Sequence, residues 1–459
     1  MNRSLTFWIL ASLVIGALIG YFLPDVGKDL DILGKIFLKL IKTIVAPLLF
    51  ATLVVGIAGH GNGEGIGRMG ARAFGYFIVV TSLALVFGLV AINITKAGDD
   101  PRINREKAMK FQSKTASVKK DWKDVAAPSM VAETEKIIFA YETAPETERP
   151  AIVQRGIDSL QKRIADAKIT ADKPPKQDWK DILAHIFPEN IAKSIAENQV
   201  LQVVIFSILF ALGINMAGGE HKVRMVQFCE SLAAVMFKFT NIVMYVAPFG
   251  VAGAMASAVA VMGADVFIPM LKLIGTLYGA LIGFVIIVFG GIMWWFKIGV
   301  ARFWNAAKTP VSIAFSTASS EAALAPAMEA MEKYGVSRRV VAFVLPTGMS
   351  FNLDGSTLYL SCAAIFVAQA TDHSVALHWA EQLTLLGTLL ITSKGIAGVA
   401  RASLIILMGT IGQFGIPEWP IYLILGVDVL MDMVRTGTNM LGNCLATVVI
   451  AKWEGEDLT

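Results

Sequence analysis

Apolar and polar positions alternate in long blocks along this chain rather than at short periods. Uncharged, mostly apolar runs occupy Leu5–Leu23, Thr43–Gly59, Phe74–Thr95, Asn198–Gly219, Phe239–Ala264 and Leu273–Phe296. A helix needs about 20 such residues to cross the hydrocarbon of a bilayer, so the pattern predicts six ordinary membrane-spanning helices. Thr43–Gly59 is short, yet Lys35, Lys39 and Lys42 precede it at helical spacing. Lysine stems lie along apolar surface while their ammonium groups reach out, which extends that span at its N-terminal side.

Beyond Thr309 the pattern changes. Ser316-Thr-Ala-Ser-Ser-Glu321 breaks one run, and Thr392-Ser-Lys-Gly395 and Arg401 interrupt Leu383–Ile416. Between them, Val340–Thr371 holds a single charged residue, Asp354, within Asn352-Leu-Asp-Gly-Ser356. The last run, Ile421–Ile450, contains Asp428, Asp432, Arg435, Asn439 and Asn443. A serine-rich interruption followed by a polar span therefore occurs twice. Paired broken segments of this kind point to the midplane site of a transporter.

Composition agrees with a membrane chain. Of 459 residues, 55% are hydrophobic and 17% charged, with a mean hydropathy of +0.62; soluble proteins carry about 25% charge. The stretch from Lys96 to Glu189 alone holds 18 Lys+Arg and 16 Asp+Glu, which predicts one solvated insertion, roughly 97–189. Helical patches at Met130–Tyr141 and Ala151–Ala167 punctuate it, with breakers at Pro145, Pro150, Pro174 and Pro175. A net charge of +4 leaves no basic footprint for nucleic acid. Cys229, Cys362 and Cys444 have neither disulfide nor zinc spacing. The run after Met1–Arg3 is longer than a signal-peptide core and reads as a retained first span.

The closing run carries the densest chemistry. Steps of 4, 3, 4 and 4 residues place Asp428, Asp432, Arg435, Asn439 and Asn443 on one helical face. Each central charge costs at least about 2.5–3.5 kcal/mol on insertion scales, so this face must meet protein or water. It serves either as a structural ion pair between helices or as a binding surface. Asn352 and Asp354 are two apart and flanked by Gly348 and Gly355, which predicts locally unwound backbone. Such backbone is tolerated at membrane depth where it lines a cavity, and its carbonyls with a carboxylate suit a hard cation or a proton. Breaks at Ser319–Ser320 and Ser393–Gly395 would aim helix N-termini into the membrane, where a carboxylate can accept their N–H groups.

With those residues in hand, the chain resembles the dicarboxylate/amino acid:cation symporter family, the glutamate transporter homologues. The resemblance rests on Ser316–Glu321, on Pro346-Thr-Gly-Met-Ser-Phe-Asn-Leu-Asp-Gly-Ser356, on Thr392-Ser-Lys-Gly-Ile-Ala-Gly-Val399 and on Asp432-Met-Val-Arg-Thr-Gly-Thr-Asn439, in this order. It implies an all-α polytopic membrane protein with eight transmembrane helices, two re-entrant helical hairpins, and scaffold and transport domains working as an elevator in a homotrimer. The implied division is 1–71 for scaffold spans one and two, 72–96 for span three, 97–189 for the insertion, 190–264 for scaffold spans four and five, and 265–459 for the remaining transport domain.

By position, the resemblance assigns Arg435 to a substrate side-chain carboxylate and Asp432 to its ammonium group. Ser356, Thr436 and Asn439 complete the polar contacts, and Ser319 and Ser320 with the backbone at Gly398 and Val399 hold the α-carboxylate. Cations, with sodium as a candidate metal, map to Gly348, Ser350, Asn352, Asp354, Asn439 and Asn443, to the backbone at Ser393 and Ile396, and to Thr81 and Ser82. The family's tyrosine three residues before Thr81 is Ile78 here, and the aspartate of sodium-coupled members is Asn443. The second hairpin reads Ala400-Arg401 where many relatives have Pro-Gly.

The expected activity is symport of L-glutamate or L-aspartate with H+ and/or Na+ across the cell (inner) membrane, without a resident cofactor. The alternative is a C4-dicarboxylate:cation symporter of the same family. Asp432 favours the amino acid, because relatives selective for plain dicarboxylates carry a small neutral residue there. An ion channel needs no facing Asp432 and Arg435. An intramembrane protease would need a Gly-x-Gly-Asp context at Asp354 or Asp432, or a histidine at membrane depth, and neither is present.

Overall fold

The computed structural model describes residues 5–59, 64–103, 187–196, 199–371, 379–393, 402–414, 416–417 and 419–458. Among the described residues the regular elements are helices throughout. They run α1 (Leu5–Phe22), α2 (Pro24–Asp29), α3 (Asp31–Ala58), α4 (Glu64–Thr95), α5 (Ile191–Ala196), α6 (Val200–Ala217), α7 (Gly219–Met244) and α8 (Ala247–Met262). Then come α9 (Phe267–Phe284), α10 (Gly290–Trp295), α11 (Val300–Thr317), α12 (Ser320–Tyr334), α13 (Arg338–Phe351), α14 (Asp354–Ala370), α15 (Trp379–Thr392), α16 (Ala402–Gln413) and α17 (Pro420–Trp453). The insertion's candidate helices at 130–141 and 151–167 lie outside the described residues.

Among the described residues, five helical stretches are long and apolar enough to cross a membrane: 24–58, 68–95, 200–217, 264–295 and 338–370. The apolar run Phe239–Ala264, expected as one span, is divided between α7 and α8, which meet at a 49° bend. Pro248 stands in the first turn of α8, where it has no N–H to give and its ring would crowd the carbonyl of Met244. The chain tightens instead, with Tyr245 N–H donating to Ile242 O (3.1 Å) and Val246 N–H to Val243 O (3.0 Å). In the stretch 264–295, a π-helical turn at Val285–Phe289 separates α9 from α10.

The helices pack in two groups. In the first, α1, α2, α6 and α7 gather around α3 and α8, which pack on each other. In the second, α4, α9, α11, α12, α13 and α14 surround or adjoin α17, and α14 lies between α4 and α17. The seam of the first group is backbone against backbone: Gly16 and Gly20 of α1 sit on Ala252 and Ala256 of α8, so closely that a Cβ at either glycine would strike a carbonyl. With lipid tails as apolar as leucine, such close approach supplies the van der Waals contact that holds membrane helices together.

Two local features shape the second group. Helices α11 and α12 form a packed helical hairpin, turned by Ala318 in the left-handed region (φ 50°). Between α13 and α14, Asn352 (φ −118°, ψ 64°) and Leu353 (φ −102°, ψ 64°) leave helical geometry, so the unwound segment expected around Asn352 is present. The C-terminal residues tie the group's ends together. Arg72 of α4 donates to the Trp453 carbonyl and to Glu454 (2.7 Å), Arg302 of α11 to the Leu458 and Tyr334 carbonyls, and the Ser337 N–H to Glu456 (2.9 Å).

The Gly–Ala seam makes a clear prediction. Gly16→Leu should lower the thermal transition of the detergent-purified protein by the equivalent of about 1–3 kcal/mol, the usual cost of overpacking. Gly275→Leu, where a Cβ meets no atom within 4 Å, should leave it unchanged.

Candidate functional site

All five polar side chains of the closing stripe are buried on α17. Burying a guanidinium requires charge compensation, because an unpaired ion in low dielectric loses most of its hydration energy. Arg435 is 1% exposed, and it is doubly paired within its own helix: Nε donates to Asp432 Oδ1 at 2.8 Å and Nη1 to Asp428 Oδ1 at 3.0 Å. Its guanidinium carbon lies 4.3 Å from the centroid of the Tyr359 ring on α14, a cation–π contact. Nη2 has no hydrogen-bond partner among the described residues. The Thr436 hydroxyl reaches the same Asp432 oxygen at 3.4 Å.

One turn further on, Asn439 clasps Ser356 of α14. Its Oδ1 accepts from the Ser356 N–H (3.1 Å) and its Nδ2 donates to the Ser356 hydroxyl (2.9 Å). That N–H belongs to the first turn of α14, whose amides have no carbonyl partner four residues back. The next pair along the stripe joins Asn443 to the unwound segment, with Asn352 Nδ2 donating to Asn443 Oδ1 at 3.3 Å. Asn352 Oδ1 and Asn443 Nδ2 have no partner among the described residues. Asp354, fully buried at the start of α14, has a carboxylate oxygen over Gly442, where any Cβ would collide with it.

The remaining expected site residues fall in several places. Gly348 is buried against the Asn443 amide, and its carbonyl accepts from the Asn352 N–H at 2.7 Å, while Ser350 is half-buried. On α4, Thr81 is buried and donates back to Phe77 O (2.6 Å); Ser82 is half-buried and donates to Ile78 O (2.7 Å). Ser319 caps α12, its hydroxyl accepting from the Ala322 N–H at 3.4 Å, and Ser320 is buried beside it. Phe315, just before this turn, rests on Gly437 of α17, so the α11–α12 turn approaches the level of Arg435 and Asn439. Ser393 is buried at the end of α15 and donates to Leu390 O at 3.0 Å. Ile396, Gly398 and Val399 lie outside the described residues.

The structure thus brings together Asp432, Arg435, Thr436, Asn439, Asn443, Ser356, Asn352 and Gly348. It adds two residues absent from the expected site: Asp428, a second partner of the guanidinium, and Tyr359, its stacking partner. Asp428 already lay on the stripe. Tyr359 lies three residues beyond Ser356, one helical turn along the same face, and that spacing is the signal that could have found it. Chemically, the cluster offers a guanidinium beside carboxylates, then hydroxyl and amide groups, then amide and carbonyl oxygens at a broken helix. These suit, in turn, an anion, a polar ligand body and a cation.

The sequence model of the sodium:dicarboxylate symporter family matches residues 5–453. The chain belongs to that family. Among its relatives, the proton/glutamate-aspartate symporter of Bacillus subtilis (strain 168) is 36% identical over 455 residues, covering 99% of this chain and 96% of the relative. The proton/sodium-glutamate symport protein of Geobacillus stearothermophilus is 34% identical over 456 residues, with 99% and 95% covered. The C4-dicarboxylate transport protein of Solibacter usitatus (strain Ellin6076) is 34% identical over 457 residues, with 99% and 94% covered. Sodium:dicarboxylate symporters are transporters, and the apolar helices of this one fit a multi-pass membrane protein.

If Asp428 and Asp432 share the neutralisation of Arg435, their energies are coupled. Asp428→Asn and Arg435→Gln should each lower the thermal transition. The double variant should lose less than the sum, by about 1–3 kcal/mol, the range seen for residues in one ion-pair network. Strict additivity of the melting data would show that Asp428 does not act on Arg435.

Proposed function

We propose that this chain is a secondary active symporter for an acidic amino acid, L-aspartate or L-glutamate, driven by co-transported cations. The observation that carries the reading is the buried Arg435, held between two carboxylates with Nη2 unused. A substrate carboxylate takes up Nη2 and competes for Nε, which frees Asp432 to accept the substrate ammonium. A plain dicarboxylate has no ammonium, so it would leave Asp432 facing like charge. The hydroxyls and amides of Ser356, Thr436 and Asn439 satisfy the rest of the ligand. Ser319 and Ser320, with the N-terminus of α12 and the backbone at Gly398 and Val399, receive the α-carboxylate.

The cations belong at the broken helix, among Gly348, Ser350, Asn352, Asp354, Asn439 and Asn443, with further positions at Ser393, Ile396, Thr81 and Ser82. Sodium and the proton are both candidates. Driving a net −1 substrate into an inside-negative cell costs about 2.3 kcal/mol per 100 mV, so at least two cations must accompany each substrate for the potential to assist. Asn443 is neutral where a carboxylate would attract a metal ion, which favours the proton for part of the coupling. The two packed groups of helices support an elevator in which the α1, α3, α6–α8 group is the scaffold. The α4, α9–α17 group then moves with the substrate; it comprises two re-entrant hairpins, α11–α12 and α15–α16, and the remaining spans of an eight-helix transporter. The assembly is a homotrimer in the cell (inner) membrane.

Uptake of radiolabelled aspartate into proteoliposomes tests the substrate. Aspartate should accumulate and succinate should compete weakly; transport of succinate without aspartate would assign the protein to C4-dicarboxylates instead. Asp432→Thr should lower aspartate uptake about 30-fold or more, the scale of removing one partner of a buried charge pair, and should spare succinate. An inside-alkaline pH gradient should drive uptake in sodium-free buffer, and a response to sodium alone would remove the proton from the scheme.

A further inference from the structure

Between α4 and the α9–α10 unit, on the outer face of the second helix group, runs an apolar groove of about 530 Å³. Gly75, Tyr76, Val79, Leu83 and Phe87 line one wall; Ile287 and Val288 on the π turn, Gly291 and Trp295 line the other. From Gly75 to Phe87 is twelve helical steps, about 18 Å at 1.5 Å per residue. That length is close to one leaflet of hydrocarbon, about half of 30 Å. Its bed is open rather than filled, because a Cβ at Gly75 or Gly291 would meet no atom within 4 Å.

The two ends of the groove differ. Toward Phe87 and Ile287 it is wholly apolar. At the other end Trp295, 75% exposed, stands with Phe296 and Trp453, whose rings are 5.5 Å apart. Trp rings of this kind sit at the headgroup level of a bilayer. Around them are four basic side chains: Arg68 and Arg72 of α4, exposed Lys297, and Lys452, which donates to the carbonyls of Phe296 and Lys297. One carboxylate, Glu454, sits between the two arginines, so this end keeps a positive excess. Arg68 itself is 70% exposed and 3.9 Å from that carboxylate.

We propose that this groove is a binding site for an anionic glycerophospholipid. One acyl chain lies along Gly75–Phe87, and the phosphate sits at the Lys297–Arg68 end. The length of the groove matches the extent of an acyl chain in one leaflet, and the basic residues select the charge. A zwitterionic lipid fits the same bed but gains nothing at its mouth. Because both walls belong to the helix group that holds Arg435, an occupant would travel with the substrate site and not with the α1–α8 seam.

Native mass spectrometry of the detergent-purified full chain, given equimolar dioleoyl phosphatidylglycerol and dioleoyl phosphatidylcholine, tests this. The wild type should retain phosphatidylglycerol over phosphatidylcholine by about tenfold or more, the scale expected of one or two basic residues at an anionic headgroup. Lys297→Gln with Arg68→Gln should bring the two lipids to near-equal retention. Gly291→Leu, and separately Gly75→Leu, should reduce retention of both lipids with the melting temperature unchanged. Equal retention of the two lipids by the wild type overturns the proposal, and so does unaltered retention by both glycine variants. If the wild type keeps no lipid and Gly291→Leu changes the oligomeric mass, the groove is a seam between copies of this chain and the proposal fails.

Discussion

A guanidinium enclosed within a bundle of apolar helices is the constraint around which the second helix group is arranged. Left alone, Arg435 would cost several kcal/mol of lost hydration. Its own helix supplies the compensation, since steps of three and seven residues bring Asp432 and Asp428 to Nε and Nη1. Tyr359 covers the flat face that carboxylates cannot reach. The triad is therefore far less costly to bury whole than in part, although two carboxylates against one guanidinium leave it a net negative charge. Such a cluster favours one geometry of α14 on α17, and Gly355, which packs against the backbone of Arg435, allows the two helices to meet there.

The broken helix solves a related problem with backbone atoms. Where α13 stops at Phe351 and α14 starts at Asp354, Asn352 and Leu353 leave helical geometry, while the Asn352 N–H still donates to Gly348 O and the Leu353 carbonyl still accepts from the Thr357 N–H. In hydrocarbon those groups could not remain unsatisfied. The side-chain amides of Asn352 and Asn443 meet beside the break, and the Asn439 side chain takes up a first-turn N–H of α14. Amides and the Asp354 carboxylate thus occupy one end of the stripe, while the Asp428–Arg435–Asp432 triad occupies the other.

Much of the architecture was legible in hydropathy, because crossing a bilayer leaves a long apolar signature that needs no partner to be read. The α7–α8 bend was not, since an uninterrupted apolar run conceals a proline whose effect depends on the preceding carbonyl. The stripe on α17 was visible because 4, 3, 4 and 4 residues trace one face of any helix. Spacing does not choose between ion pair and binding surface; the structure shows the pairing within α17 itself, with Nη2 left without a hydrogen-bond partner among the described residues. The spacing of Ser356 and Tyr359 puts both on one face of α14, but that this face meets Arg435 comes from the packing of α14 on α17. Ser319 both breaks the apolar run and caps α12, since a helix start needs a residue whose side chain can accept a first-turn N–H.

The clasp formed by the C-terminal residues bears on how the molecule is made. Arg72 and Glu454 are 382 positions apart, and Arg302 and Ser337 are also fastened to residues beyond Trp453. During synthesis the beginning of α4 leaves the ribosome long before its fastening exists. Contacts of such sequence separation form late, after the loop-closure entropy has been met. The early helices must wait in the lipid with that end unsecured, until the residues that follow α17 have been made.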